Sequence, residues 1–146
     1  MLVLFLLLYL SDGTYIQNPK FYIHEEKSLA EVQRKFSKTE KGTYEKTKFI
    51  ESLCRIYERA ANKRGDFAQK LSENLVDNYG IICFEDLYVK NITKNHNLTK
   101  HILDAAWSKL ITYKTYKAEN AGRCGIFVDP KNTSKMCSNC GMLVDK

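Results

Sequence analysis

Apolar and polar positions follow three rhythms along this chain. It opens on an unbroken apolar run, MLVLFLLLYL, over residues 1–10. At about 1.5 Å per residue, a ten-residue helix reaches about half of a bilayer core, so the run is too short to span a membrane. It reads instead as a buried strand. Asp12-Gly13 supplies a positive-φ turn, and Thr14-Tyr15-Ile16 returns antiparallel before Asn18-Pro19 closes the hairpin. A signal peptide is the rival reading, supported by Asn-x-Ser/Thr triplets at Asn91, Asn97 and Asn132. Against it, no Lys or Arg precedes the run, and SDGTY offers no small-residue cleavage site.

From Phe21 the period lengthens. Leu29, Val32 and Phe36 recur at helical spacing and predict a helix over 21–38, followed by a basic, glycine-containing turn. A long helix over 43–79 carries one stripe of Phe49, Leu53, Ile56, Ala60, Phe67, Leu71 and Leu75. Gly65 is expected to bend or break it, and Gly80 to cap it. Next, Ile81-Ile82-Cys83-Phe84 runs into Glu85 and Asp86, the pattern of a buried parallel strand with carboxylates at its C-terminal end. In open α/β sheets that end collects ligands and catalytic groups. A third helix is predicted over 98–120 (Ile102, Leu103, Ala106, Trp107, Leu110, Tyr113), then a strand over 124–128. Strand, helix, strand predicts a parallel βαβ unit, hence an α/β fold.

Composition narrows the class. With 44% hydrophobic and 27% charged residues, the 146-residue chain is neither a disordered tail nor a polytopic membrane protein. Its net charge of +6 favours a polyanionic partner. Arg34, Lys35, Lys38, Lys41, Lys46 and Lys48 gather on the outer face of the helical hairpin, either as a solvated face or as a phosphate-tracking surface. Five cysteines, an odd number, exclude a disulfide framework. Cys54, Cys83 and Cys124 are expected as small buried apolar groups in a reducing compartment. His24, His96 and His101 have no partner at metal-ligand spacing and read as surface or loop residues.

Two places carry chemistry. Cys137-Ser138-Asn139-Cys140-Gly141 has the spacing that turns two thiolates toward one zinc ion, half of the four ligands a structural site needs. A redox CxxC is the alternative, but it would open a helix after a strand, and here it sits in a polar tail. Glu85 at its strand end is either a capped or salt-bridged turn or a Mg²⁺ ligand, and phosphodiester hydrolysis needs several carboxylates around its cations.

The succession NLVDNYGIICFEDLYVKNITKNHNLTKHILDAAWSKL, then TYKAENAGRCGIFVDPKNTSKMCSNCG, resembles the C-terminal half of TnpB, the OrfB-type proteins of bacterial and archaeal insertion sequences. FEDL at 84–87 and DPKNTSKMCSNCG at 129–141 carry the resemblance most strongly, and the basic helical stretch from Lys27 also matches. The resemblance implies a partial RNase H-like (RuvC) α/β fold. Its parts would be a first hairpin at 1–18, a basic helical insertion at 19–79, a strand–helix–strand core at 80–129 and a truncated zinc ribbon at 130–146. It also implies an RNA-guided, Mg²⁺-dependent DNA endonuclease tied to transposition and DNA recombination, with DNA and a guide RNA as partners. Glu85 then matches the middle catalytic acid and magnesium ligand, and Cys137 and Cys140 match the first zinc pair.

This sequence also departs from the family pattern. The first catalytic Asp of the family falls at or before Met1, and residues 1–10 contain none. The last one follows a second CxxC, and Asp145 comes too early to be it. One of three catalytic acids and two of four zinc ligands remain, so the expectation is a nucleic-acid-binding chain that is catalytically incomplete. It is expected in a bacterial or archaeal cytoplasm, with no membrane and no small-molecule substrate. The rival readings are a non-catalytic binding module using the basic hairpin, and a small secreted or membrane-attached protein.

Overall fold

The computed structural model describes residues 6–86, 106–131, 137, 140, 142 and 143. Strands β1 (Leu6–Tyr9) and β2 (Tyr15–Gln17) pair antiparallel, with Leu8 opposite Ile16 and Tyr9 opposite Tyr15. The turn forms where Asp12-Gly13 predicts it: Gly13 has φ 88°, and the Leu10 N–H donates to the Thr14 carbonyl at 2.9 Å. Buried Asn18 accepts the Lys20 N–H at 3.1 Å, and Lys20 itself is left-handed, which swings the chain into the first helix.

Helices α1 (Phe21–Lys38) and α2 (Tyr44–Asn78) form an antiparallel arm. Gly42, at φ 85°, makes the turn between them. The Thr43 hydroxyl then caps α2 by accepting the Lys46 N–H at 3.3 Å, satisfying one of the orphan donors of the first turn. Gly65 does not break α2, which is continuous helix through it. The turns beside it are clamped by an edge-to-face contact of Phe67 with Phe21 (6.0 Å) and by Arg59 and Lys63 on Glu25, so packing overrides the propensity cost of about 1 kcal/mol. Gly80 is not the left-handed cap expected of it. Extended Tyr79 ends the helix, and the Gly80 carbonyl accepts the Cys124 N–H at 3.0 Å.

Strand β3 (Ile81–Glu85) pairs in parallel with β4 (Cys124–Val128), Glu85 opposite Val128. Between them runs α3 (Trp107–Asn120), closed by Gly122 at φ 64° with the Arg123 N–H on the Ala118 carbonyl (2.8 Å), a Schellman-type stop. Residues 98–105 of the expected third helix lie outside the described residues, as do His96, His101 and the three Asn-x-Ser/Thr triplets. The result is a mixed α/β fold with three helices and two small sheets among the described residues.

One core joins these pieces. Leu7 and Leu8 of β1, Ala68, Leu71, Leu75 and Val76 of α2, Ile82 and Phe84 of β3, and Leu110 and Ala118 of α3 pack together. The two sheets share no ladder and meet through these side chains. β3 is buried on one face only: Ile82 and Phe84 point inward, whereas Ile81 is 66% exposed. Cys83 and Cys124 occupy the same outward face and are exposed, and Cys54 is exposed on α2, so none of the three is the buried apolar group expected. Strand alternation, rather than the apolar run, decides the matter. Among the described residues no helix is long and apolar enough to cross a membrane, and the described part of the opening run is strand, not helix.

Lys114 departs from this apolar pattern. It is fully buried on the inner face of α3, and its Nζ has no hydrogen-bond partner among the described residues. The ammonium lies 4.9 Å from the Phe84 ring centroid and 4.6 Å from that of Phe127. Gly125 supplies the room: a Cβ there would come within 3.2 Å of Nζ. Desolvation pushes the lysine below its ordinary value, offset in part by Cys83. The folded state therefore disfavours the charged form, and its penalty is relieved as pH rises toward the ordinary lysine value of 10.5. Lys114→Met is expected to stabilise the protein by about 1 kcal/mol at neutral pH, an unpaired polar group costing about 1–3 kcal/mol and the two rings returning part of it. In urea denaturation series, that advantage should shrink between pH 7 and pH 10.

Candidate functional site

A cleft of about 800 Å³ lies between the two sheets. Leu7 to Ser11 of the first hairpin form one wall, and β3 from Ile81 to Glu85 the other, with Tyr79 and Trp107 also lining it. Glu85 is half-buried there, where the last residue of β3 meets Val128 and the next N–H, that of Asp86, is tied to the Val128 carbonyl at 2.9 Å. Glu85 is thus part of the cleft lining at the C-terminal end of β3. Trp107 packs edge-to-face on Phe84 at 5.7 Å, and its indole N–H is buried without a partner.

The cleft mouth is strapped. The Asp12 carboxylate in the hairpin turn accepts the Tyr79 hydroxyl at 2.6 Å, the Thr14 N–H at 2.8 Å and the Thr14 hydroxyl at 2.7 Å. These hydrogen bonds, Tyr79 first, hold the Asp12 carboxyl at about 2 instead of 3.8 and push the Tyr79 hydroxyl upward. Asp12 is therefore spent on joining the hairpin to the end of α2. Among the described residues, no three His, Cys, Asp or Glu side chains gather at metal-holding range. Glu85 by itself does not make a magnesium site.

The six basic residues singled out in the sequence all lie at the far end of the arm, but they do not all do the same thing. Lys46 folds inward: its ammonium donates to the Thr39 carbonyl at 2.9 Å and covers the Phe36 ring at 4.7 Å. It closes the carbonyl end of α1, where a cation is favoured. Arg34, Lys35, Lys38, Lys41 and Lys48 are exposed and belong to no ion pair among the described residues. Further along the arm four cations are matched: Arg55 with Glu51, Arg59 and Lys63 with Glu25, Lys70 with Asp66. Five outward cations thus sit together at the tip.

Near Cys140 the Cys137 N–H donates to the Met142 carbonyl at 2.9 Å. Neither cysteine is in a disulfide. Sequence reasoning missed the Asp12–Tyr79 strap, because the two residues are 67 positions apart and neither pattern announces the contact. It also passed over Tyr44, although an aromatic residue opening a helix amid lysines was legible.

Known proteins identify the family. Residues 4–96 match the OrfB_IS605 family, described as a probable transposase, and residues 107–146 match the Cas12f1-like TNB domain. A Streptomyces pristinaespiralis protein named for RNA-guided DNA endonuclease activity is 36% identical over 94% of this chain. Escherichia coli InsQ, named likewise, is 29% identical over 90% of it, and a TnpB-like protein of Methanocaldococcus jannaschii is 29% identical over 92%. The chain spans 34%, 37% and 51% of the lengths of these three. It belongs to the OrfB_IS605 transposase family.

The strap makes a pH prediction. A carboxyl held below its unfolded value contributes stability that is complete above about 3.8 and lost as pH falls through about 2. The raised Tyr79 hydroxyl works the other way: its contribution is complete below about 10 and lost as pH rises through the higher folded value. Tyr79→Phe should move the Asp12 carboxyl titration, followed by carbon NMR, back toward 3.8. It should also shift acid unfolding to higher pH.

Proposed function

We propose that this chain is a portion of a TnpB-like, RNA-guided DNA endonuclease of an insertion sequence. In this reading β1–β2 and β3–β4 are parts of an RNase H-like (RuvC) fold, and the arm is an insertion that contacts nucleic acid. The observation that carries the proposal is the parallel β3–β4 pair, which delivers Glu85 at its C-terminal end into a cleft shared with the first strand. That is where α/β sheets place their chemistry. Glu85 would be one ligand of Mg²⁺, and Cys137 with Cys140 one half of a zinc ribbon. Magnesium, when bound by a full set of acids, would supply charge stabilisation for phosphodiester cleavage. Glu85 alone supplies too few oxygens, so these residues bind DNA or RNA without cutting it.

Two measurements test this. The 146-residue chain should leave supercoiled plasmid intact with Mg²⁺ or Mn²⁺; nicking that disappears in Glu85→Gln would show a complete site instead. Binding to labelled DNA or RNA should weaken steeply with salt. Replacing Lys35, Lys38 and Lys41 together by Gln should lower the slope of log affinity on log salt by about 2–3, whereas Lys46→Gln should change it little. An unchanged slope in the triple variant would place the nucleic acid elsewhere.

A further inference from the structure

The arm tip holds more than charge. Tyr44 opens α2 and is 75% exposed. Its neighbours differ from those of the other exposed tyrosines on the helices. Tyr57 shares a hydrogen bond with Gln33 (3.4 Å), and Tyr116 with Gln69 (3.3 Å), so both are tied into helix packing. Tyr44 has instead the Lys48 ammonium 4.6 Å from its ring centroid. Lys48 lies one turn further along the same face of α2 and has no carboxylate partner among the described residues. Lys41 precedes the ring by three residues, and Lys35 and Lys38 close the adjoining end of α1.

We propose that Tyr44 is a stacking platform for an unpaired base, and that the arm tip binds single-stranded nucleic acid across it. The inference rests on the nucleic-acid reading above and deepens it. Lysines alone track phosphates without distinguishing a duplex from a single strand, because both present the same anionic backbone. An exposed aromatic ring among those lysines adds a distinction. Base faces are covered by their neighbours inside a duplex and available in a single strand, where each stacked base adds affinity regardless of its identity. The Lys48 cation near the ring reinforces this, since it is placed to meet the phosphate of the nucleotide whose base lies on Tyr44. Phe36 carries a lysine at a similar distance but is half-buried, whereas the Tyr44 ring stays 75% exposed.

The test uses the full 146-residue chain and three fluorescein-labelled probes: a 20-nucleotide oligo-dT, a 20-nucleotide oligo-U, and a 20-base-pair DNA duplex. Fluorescence anisotropy should show Tyr44→Ala weakening both single strands by about tenfold while leaving the salt slope unchanged. Duplex affinity should change less than twofold. Tyr44→Trp should restore or exceed wild-type affinity, and circular dichroism of each variant reports whether the exposed position has disturbed α2. The oligo-dT and oligo-U arms tell DNA from RNA as the source of the strand. If wild type binds all three probes but Tyr44→Ala weakens none, or weakens the duplex as much, the stacking role is wrong and the nucleic-acid reading stands. If wild type binds no probe at low salt, both fall.

Discussion

The fold depends on burying the C-terminal half of α2. Among the described residues the two sheets share no backbone ladder, so side-chain contacts keep β1 near β3. That packing converges on Ala68, Leu71, Leu75 and Val76, which meet Leu7 and Leu8 on one side and Ile82, Phe84 and Leu110 on the other. Burial of such side chains stabilises by about 1.5–3 kcal/mol each, enough for a few of them to fix the separation of the two walls of the cleft. The Asp12–Tyr79 hydrogen bond adds direction to this otherwise non-directional contact, because it fixes the hairpin turn to the residue that ends α2.

Local patterns in the sequence account for most of the elements. Asp12-Gly13, the 21–38 periodicity, the long stripe from Phe49 to Leu75 and the strand over 124–128 all appear where residue chemistry dictates, since each is decided within a few neighbouring residues. What was not legible depends on distant neighbours. Gly65 stays helical because Phe21 and Glu25 grip the turns beside it, and Cys83 faces outward because β3 packs on one side. Lys114 gave no signal either. An alternating stretch of tyrosines and lysines shows which residues are amphipathic, but not that one ammonium will be enclosed between Phe84 and Phe127.

The candidate site shows the same division. FEDL and CSNCG were readable because family resemblance and ligand spacing are properties of short strings. Whether those strings form a working centre is a property of the assembly. Asp12, the acid next to the cleft mouth, is consumed by three hydrogen bonds that favour its ionised form, and so it reinforces the wall of the cleft instead of joining Glu85. The basic cluster, seen in sequence as six equivalent residues, resolves into one internal strut, Lys46, and five outward cations.

The arm has a geometric consequence of its own. Between Tyr44 and Ala60, α2 runs beside α1, where Leu29 and Ala60 are buried outside the main core among the described residues, and this stretch extends for about 24 Å at 1.5 Å per residue. Its reach is therefore uncoupled from the sheets. Inserting or deleting one turn in both helices would slide the tip outward or inward by about 5 Å without altering a side chain around Phe84. The arm is a ruler whose graduation can be reset while the hinge end stays fixed.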